Sequence, residues 1–161
     1  MDPREIFDKL KDDFIRNQIP IPNDLIINEL HYMNSVTALG KCKKDKGLYY
    51  IYLSRYAMEN EELIKKTLAH ELVHTIPGCM NHGPNFHRYG NIVQEKLGIS
   101  ISTRASAEDA HQSGVARVKQ EKAKYKIKCE KCGKIIYRQK KSKLVLHPEK
   151  YRCSCGGKLR S

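Results

Sequence analysis

The stretch LAHELVHTIPGCMNHGPNFHRYG, residues 68–90, holds four histidines and a glutamate. His70 and His74 stand four residues apart with Glu71 beside the first, the pattern HExxH. On a helix, positions i and i+4 point to nearly the same side one turn apart, so two imidazoles so placed can reach one Zn²⁺. Glu71 falls about 100° further round. There a carboxylate suits a general base that takes a proton from water at the metal. Three fixed letters also arise by chance, and the surrounding helix is what gives them weight. In NEELIKKTLAHELVHTI, Asn60 is a good N-cap, Glu61 and Glu62 suit the first turn, and Pro77-Gly78 ends the run.

Two ligands are too few, because a catalytic zinc site has three protein ligands and an open position. A continuation HExxHxxGxxH fails, since position 77 is Pro and position 80 is Met. Glu95 lies on a helix predicted over 84–97. The apolar stripe of that helix is Phe86, Tyr89, Val93 and Leu97, and Glu95 sits opposite Phe86, facing water. His87 stands beside Phe86 on the same helix. His82 follows the short loop CMN; Gly83 permits close backbone approach and Pro84 then starts the helix. Spacing favours His82 over His87 as the third ligand.

A second cluster lies near the C-terminus. Cys129-x2-Cys132 and Cys153-x-Cys155 are separated by 20 residues, and four thiolates close a tetrahedral, structural Zn²⁺ site. A module this small needs its metal to fold. His147 precedes Pro148 and reads as a turn residue. Cys42 and Cys79 read as small buried thiols.

Charge separates the two regions. Residues 1–110 carry 14 Lys/Arg against 15 Asp/Glu, whereas residues 111–161 carry 16 against 3, so the whole net charge of +12 lies in the last third. A neutral body with a cationic module implies a polyanionic partner, nucleic acid first. Lys134, Arg138, Lys140, Lys141, Lys143 and Arg152, with Tyr137 for stacking, are the candidate contacts. Phosphate contacts would dominate, giving strong salt dependence and weak sequence preference; single strands or junctions suit the tyrosine.

The elements that position these residues are legible in outline. Ile6, Phe7, Leu10, Phe14 and Ile15 predict an amphipathic helix over 3–17. Strands are predicted at 25–33, 36–42 and 47–53, the last two joined by a KKDKG turn, and their short gaps favour antiparallel pairing. KIIYRQKK and KLVLHPEKYR read as strands that bring the two cysteine pairs together. Residues 100–115 are Ser/Ala/Gly-rich and mark a boundary. The start, MDPREIFDKL, lacks the form of a secretory signal, and no apolar run approaches the length of a membrane span.

HELVHTIPGCMNHGPNFHRYG resembles the SprT-like (Spartan) metalloprotease family, in which HExxH is followed by a short insert and HG[PK]-x-[FW]. The matching residues are His70, Glu71, His74, His82, Gly83, Pro84 and Phe86. TALGKCKKDKGLYYIYLS is similar to the family's strand pair, and residues 127–159 to the zinc ribbon many members carry. The family's second knuckle is usually C-x2-C; C-S-C here is one residue short, with Gly156-Gly157 giving the backbone freedom. The resemblance implies an α+β, zincin-like core of helices packed on a small antiparallel sheet, plus a small C-terminal ribbon. It also implies His82 as third zinc ligand and DNA-dependent proteolysis, notably of proteins crosslinked to DNA.

The expected organisation is a metalloprotease domain at 1–110, a basic linker at 111–125 and a nucleic-acid-binding zinc ribbon at 126–161. The expected cofactors are one catalytic and one structural Zn²⁺. The expected partners are DNA and protein substrates, with no membrane, for a monomer in the cytoplasm, nucleoid-associated, or in the nucleus of a eukaryote. A second reading fits the same residues: a non-hydrolytic, zinc-containing nucleic-acid-binding accessory protein.

Overall fold

Asp2 accepts the Arg4 N–H at 3.0 Å while the Glu5 carboxylate accepts the Asp2 N–H at 3.3 Å, a reciprocal cap that starts helix α1 (Pro3–Arg16). The computed structural model describes residues 2–23, 26–35, 38–58, 60–102, 121 and 123–161. Ile6, Phe7, Leu10 and Phe14 form the buried stripe of α1; Ile15 is exposed.

Three strands follow, β1 (His31–Met33), β2 (Gly40–Asp45) and β3 (Leu48–Ser54). β2 and β3 form an antiparallel hairpin joined by Lys46 and Gly47 alone, with Asp45 paired to Leu48. Both turn residues have positive φ, 47° and 85°, as a two-residue type I′ turn requires. The turn is therefore tighter than KKDKG suggested, and β2 runs on through Asp45.

β1 departs from the antiparallel expectation. It pairs parallel to β3 on the edge away from β2, so the order is β1-β3-β2. A parallel pair needs a connection of a dozen or more residues. Residues 34–47, β2 included, supply it, so the short gap between β1 and β2 does not make them neighbours. The α+β class stands, with a mixed sheet in this unit.

Tyr49, Ile51 and Leu53 of β3 point into the core, and Tyr50 and Tyr52 point to the other face. Helix α2 (Glu61–Thr75) starts where Asn60 Oδ1 accepts the Leu63 N–H at 3.0 Å. It packs against α1, β2, β3 and α3, and from Thr67 onward it is buried round most of its circumference. Such a helix has no single apolar stripe. Helix α3 (Pro84–Leu97) begins after Gly83 and stops at Gly98, which is left-handed at φ 67°. The fully buried side chains Phe7, Phe14, Ile51, Leu53, Leu68, Leu72, Ile76 and Phe86 come from α1, β3, α2 with its C-cap, and α3. Each contributes on the order of 1.5–3 kcal/mol by leaving water.

The chain divides into two compact units, residues 1–115 and 116–161. The basic linker expected over 111–125 lies mostly outside the described residues. In the second unit β4 (Tyr125–Cys129) is central, with β5 (Ile135–Arg138) and β6 (Leu159–Arg160) antiparallel on either side. KLVLHPEKYR, read above as a strand, is instead a one-turn helix α4 (Lys143–Leu146) and a 3-10 turn (Pro148–Lys150). Leu144 and Val145 both pack against the buried cluster of Ile127, Cys129, Cys153 and Leu159. Adjacent residues of a strand point to opposite faces, so only a helical turn turns both toward this core. Among the described residues no helix is long and apolar enough to cross a membrane.

Candidate metal centres

Helix α2 carries His70 and His74 on one side, and Ile76-Pro77-Gly78-Cys79 then reverses the chain. Gly78 has φ 79° and the Cys79 N–H bonds Ile76 O at 3.0 Å, a type II turn with Pro and Gly at their usual places. The reversal brings His82, at the threshold of α3, back to the helix. His70 Nε2 lies 3.1 Å from His74 Nε2 and 3.0 Å from His82 Nε2. Three nitrogens held tetrahedrally about 2.0–2.1 Å from one ion stand about 3.3 Å apart, so this donor set fits Zn²⁺. Glu95 and His87 are exposed and outside the cluster.

The supporting contacts fix how each imidazole presents itself. His74 Nδ1 donates to the Cys79 carbonyl at 2.7 Å, which leaves Nε2 free for a metal. His70 hydrogen-bonds the Ser102 backbone. The Phe86 ring packs against all three imidazoles, with centroids 4.8, 4.6 and 4.7 Å from His70, His74 and His82. Burial, and then the neighbouring His74 and His82, push His70 down to about 4. Burial also lowers His74. Both are therefore neutral near pH 7, the form that ligates a metal.

Glu71 sits under β2, only 6% exposed. Burial pushes its carboxyl up to about 8, opposed by a hydrogen bond with the Cys42 backbone. Gly40 of β2 lies so close that an added Cβ would stand 2.6 Å from Glu71 Oε1 and 2.7 Å from Thr67 Cγ2. Cys79 is buried and Cys42 half-buried; burial and then Glu71 push the Cys42 thiol up to about 12, which makes it unreactive.

The second cluster draws Cys129, Cys132, Cys153 and Cys155 together, all four sulfurs within 4.8 Å of one another. Cys129 Sγ is 3.6 Å from Cys155 Sγ, and Cys132 Sγ is 3.7 Å from Cys153 Sγ. A tetrahedral site with Zn–S of about 2.3 Å has edges of about 3.8 Å. The shorter second loop is accommodated by a shorter closure. Gly133 N–H bonds back to Cys129 O in the first knuckle, whereas Gly156 N–H bonds to Cys153 O in the second, one residue sooner. Both glycines are left-handed, at 71° and 78°. Gly157 leaves no room for a side chain: a Cβ would meet Cys129 Sγ and Lys131 Cβ, each at 2.6 Å. His147 lies away from the sulfurs, 3.5 Å from Glu149.

Of the expected nucleic-acid contacts, Lys134, Arg138, Lys140, Lys141, Lys143 and Arg152 are exposed and Tyr137 is half-buried on β5. Arg138 Nη1 donates to Tyr137 O at 3.1 Å. Arg152 Nη1 donates to Glu149 O and Tyr151 O at 2.9 and 3.0 Å. The Phe86 floor, the Cys79 carbonyl and the Gly40 contact were not read from the sequence; Gly-x-Cys and the phenylalanine of HGP-x-F were the only signals for them.

One helix and the following loop of a mixed α+β fold thus converge three imidazoles that could hold a metal, an arrangement consistent with a metalloprotease-type fold. The chain belongs to the SprT-like family, whose model matches residues 4–111. Comparison with curated proteins finds no match.

Proposed function

We propose that this chain is a zinc-dependent endopeptidase recruited to DNA, acting on DNA-bound or DNA-crosslinked proteins. The observation that carries the reading is the meeting of His82 with His70 and His74 of α2, the helix that also buries Glu71. His70, His74 and His82 would hold Zn²⁺, which supplies a Lewis acid that polarises a carbonyl and acidifies water. Glu71, buried next to His70 on the same helix, is suited to take a proton from the attacking water and return it to the departing amine once the cation's charge favours its ionised form. Cys129, Cys132, Cys153 and Cys155 would hold a second, structural Zn²⁺. The basic surface around it supports a role in DNA recruitment through phosphate contacts.

Glu71→Gln tests the reading. The variant should keep two zincs per chain and wild-type DNA affinity, yet lose cleavage of a DNA-crosslinked protein and of itself by at least about a hundredfold. A wild type with one zinc, lost on changing Cys129, would remove the catalytic site. A wild type with two zincs and no DNA-stimulated cleavage would favour a non-hydrolytic nucleic-acid-binding protein.

A further inference from the structure

The outward face of the first sheet is built unlike a solvent face. Antiparallel pairs normally turn polar side chains to water. Here the outward positions of β3 are Leu48, Tyr50 and Tyr52, with Leu48 exposed. His31 of β1 lies against both tyrosines, its ring centroid 5.8 Å from Tyr50 and 5.2 Å from Tyr52. On the other side, Lys41 is the cross-strand partner of Tyr52 and Lys43 that of Tyr50. Across the sheet the row therefore reads His31, Tyr52, Lys41.

The core does not account for this patch. The buried partners of β3 are Tyr49, Ile51 and Leu53, on the opposite face. Nor does average charge account for the lysines. Residues 41–46 hold four lysines against Asp45, whereas the rest of residues 1–110 carries 10 Lys/Arg against 14 Asp/Glu and is acidic. Asp45 pairs with Lys43 at 3.6 Å, but both are more than half exposed, so a phosphate can take the carboxylate's place.

From this juxtaposition we propose that the outward face of β1-β3-β2 is a stacking platform for single-stranded nucleic acid, separate from the ribbon. Bases would lie on Tyr50 and Tyr52, and phosphates on Lys41 and Lys43. Residues two apart on a strand stand about 6.6 Å from each other. That is about twice the 3.4 Å rise of stacked bases, so the two rings suit bases already pulled apart and not a closed duplex. The platform rests on the proposed DNA-dependent role and adds a second contact on the protease unit itself.

The test is photocrosslinking of the full-length, zinc-loaded protein to oligothymidine carrying 5-bromodeoxyuridine, with the crosslinked peptides mapped. Tyr50→Leu/Tyr52→Leu and Tyr50→Phe/Tyr52→Phe are titrated alongside with single-stranded and duplex DNA. The expected result is a crosslink at Tyr50 or Tyr52. The Leu pair should lose about tenfold or more in single-strand affinity, the Phe pair should retain it, and duplex affinity should be unchanged. Crosslinks confined to residues 125–161, with both pairs binding as wild type, would overturn the platform and leave DNA recruitment standing. No binding of any DNA would overturn both. Normal DNA binding but slower cleavage of protein by the Leu pair would assign the face to the protein substrate and also overturn the proposal. If the Leu pair melts early, the crosslink map on the wild type decides alone.

Discussion

At the residue scale, the buried carboxyl of Glu71, the proposed base, is the point where stability and chemistry meet. Glu71 is held at about 8 in the folded chain against an ordinary 4.5, because burial disfavours its charge. Below pH 4.5 it is protonated in both folded and unfolded chains and costs nothing. Between 4.5 and 8 the unfolded chain ionises while the folded one does not, so the folded state loses ground as pH rises, and the loss is complete above 8. Metal-free Glu71→Gln should therefore melt several degrees above metal-free wild type at pH 8.5, and at the same temperature at pH 4.5, by calorimetry. Equal melting at pH 8.5 would mean the carboxyl is not desolvated. The meeting of the three imidazoles was readable because helical spacing alone sets the direction of His70 and His74, and a Pro-Gly break with three loop residues limits where His82 can go. The Cys79 carbonyl and the Cys42 backbone could not be read. Backbone groups carry no residue signature, and their role exists only once a turn or a strand has brought them to the site.

At the element scale, β2 is the support that matters most. Gly40 and Cys42 face Glu71, and the space for the carboxylate is the space a Gly40 side chain would fill. Gly40→Ala should displace Glu71 and lower the rate of peptide cleavage by about tenfold to a hundredfold. It should still bind two zincs, as metal analysis would report, because the atoms nearest the new methyl belong to Glu71 and Thr67 and not to a histidine. Loss of zinc from this variant would show that the strand supports the metal and not the base. The hairpin was legible because its turn chemistry is local. The pairing of β1 was not, because gap length speaks to neighbours in sequence and β1 pairs with the strand after next. The α4 turn was hidden for a similar reason: Leu144 and Val145 are apolar in any conformation, and only the core they meet selects the helix.

At the scale of the whole molecule, two units carry two candidate metal sites of different kinds. The three imidazoles come from α2 and the loop that leads into α3, both packed on a large apolar core. The four cysteines gather in a unit whose buried apolar set, among the described residues, is Ile127, Cys129, Cys153 and Leu159. That is too little to hold a chain without a metal. Gly157→Ala places a methyl against the Cys129 sulfur. It should leave one zinc per chain and preserve the cooperative melting of the first unit, with DNA-stimulated cleavage reduced more than cleavage of a free peptide. Retention of both zincs would show that the second knuckle can relax around the methyl. The division into a neutral and a cationic region was legible from charge alone, since it needs only counting.

The two-residue turn at Lys46 and Gly47 has no slack. It fixes a registration in which even-numbered positions of β2 look toward the carboxylate and odd-numbered ones toward the lysine-lined face. A single inserted or deleted residue in that arm would exchange the two faces together, since a slip of one reverses every side chain. One strand thus serves as a two-sided ruler, and neither scale can be moved without moving the other.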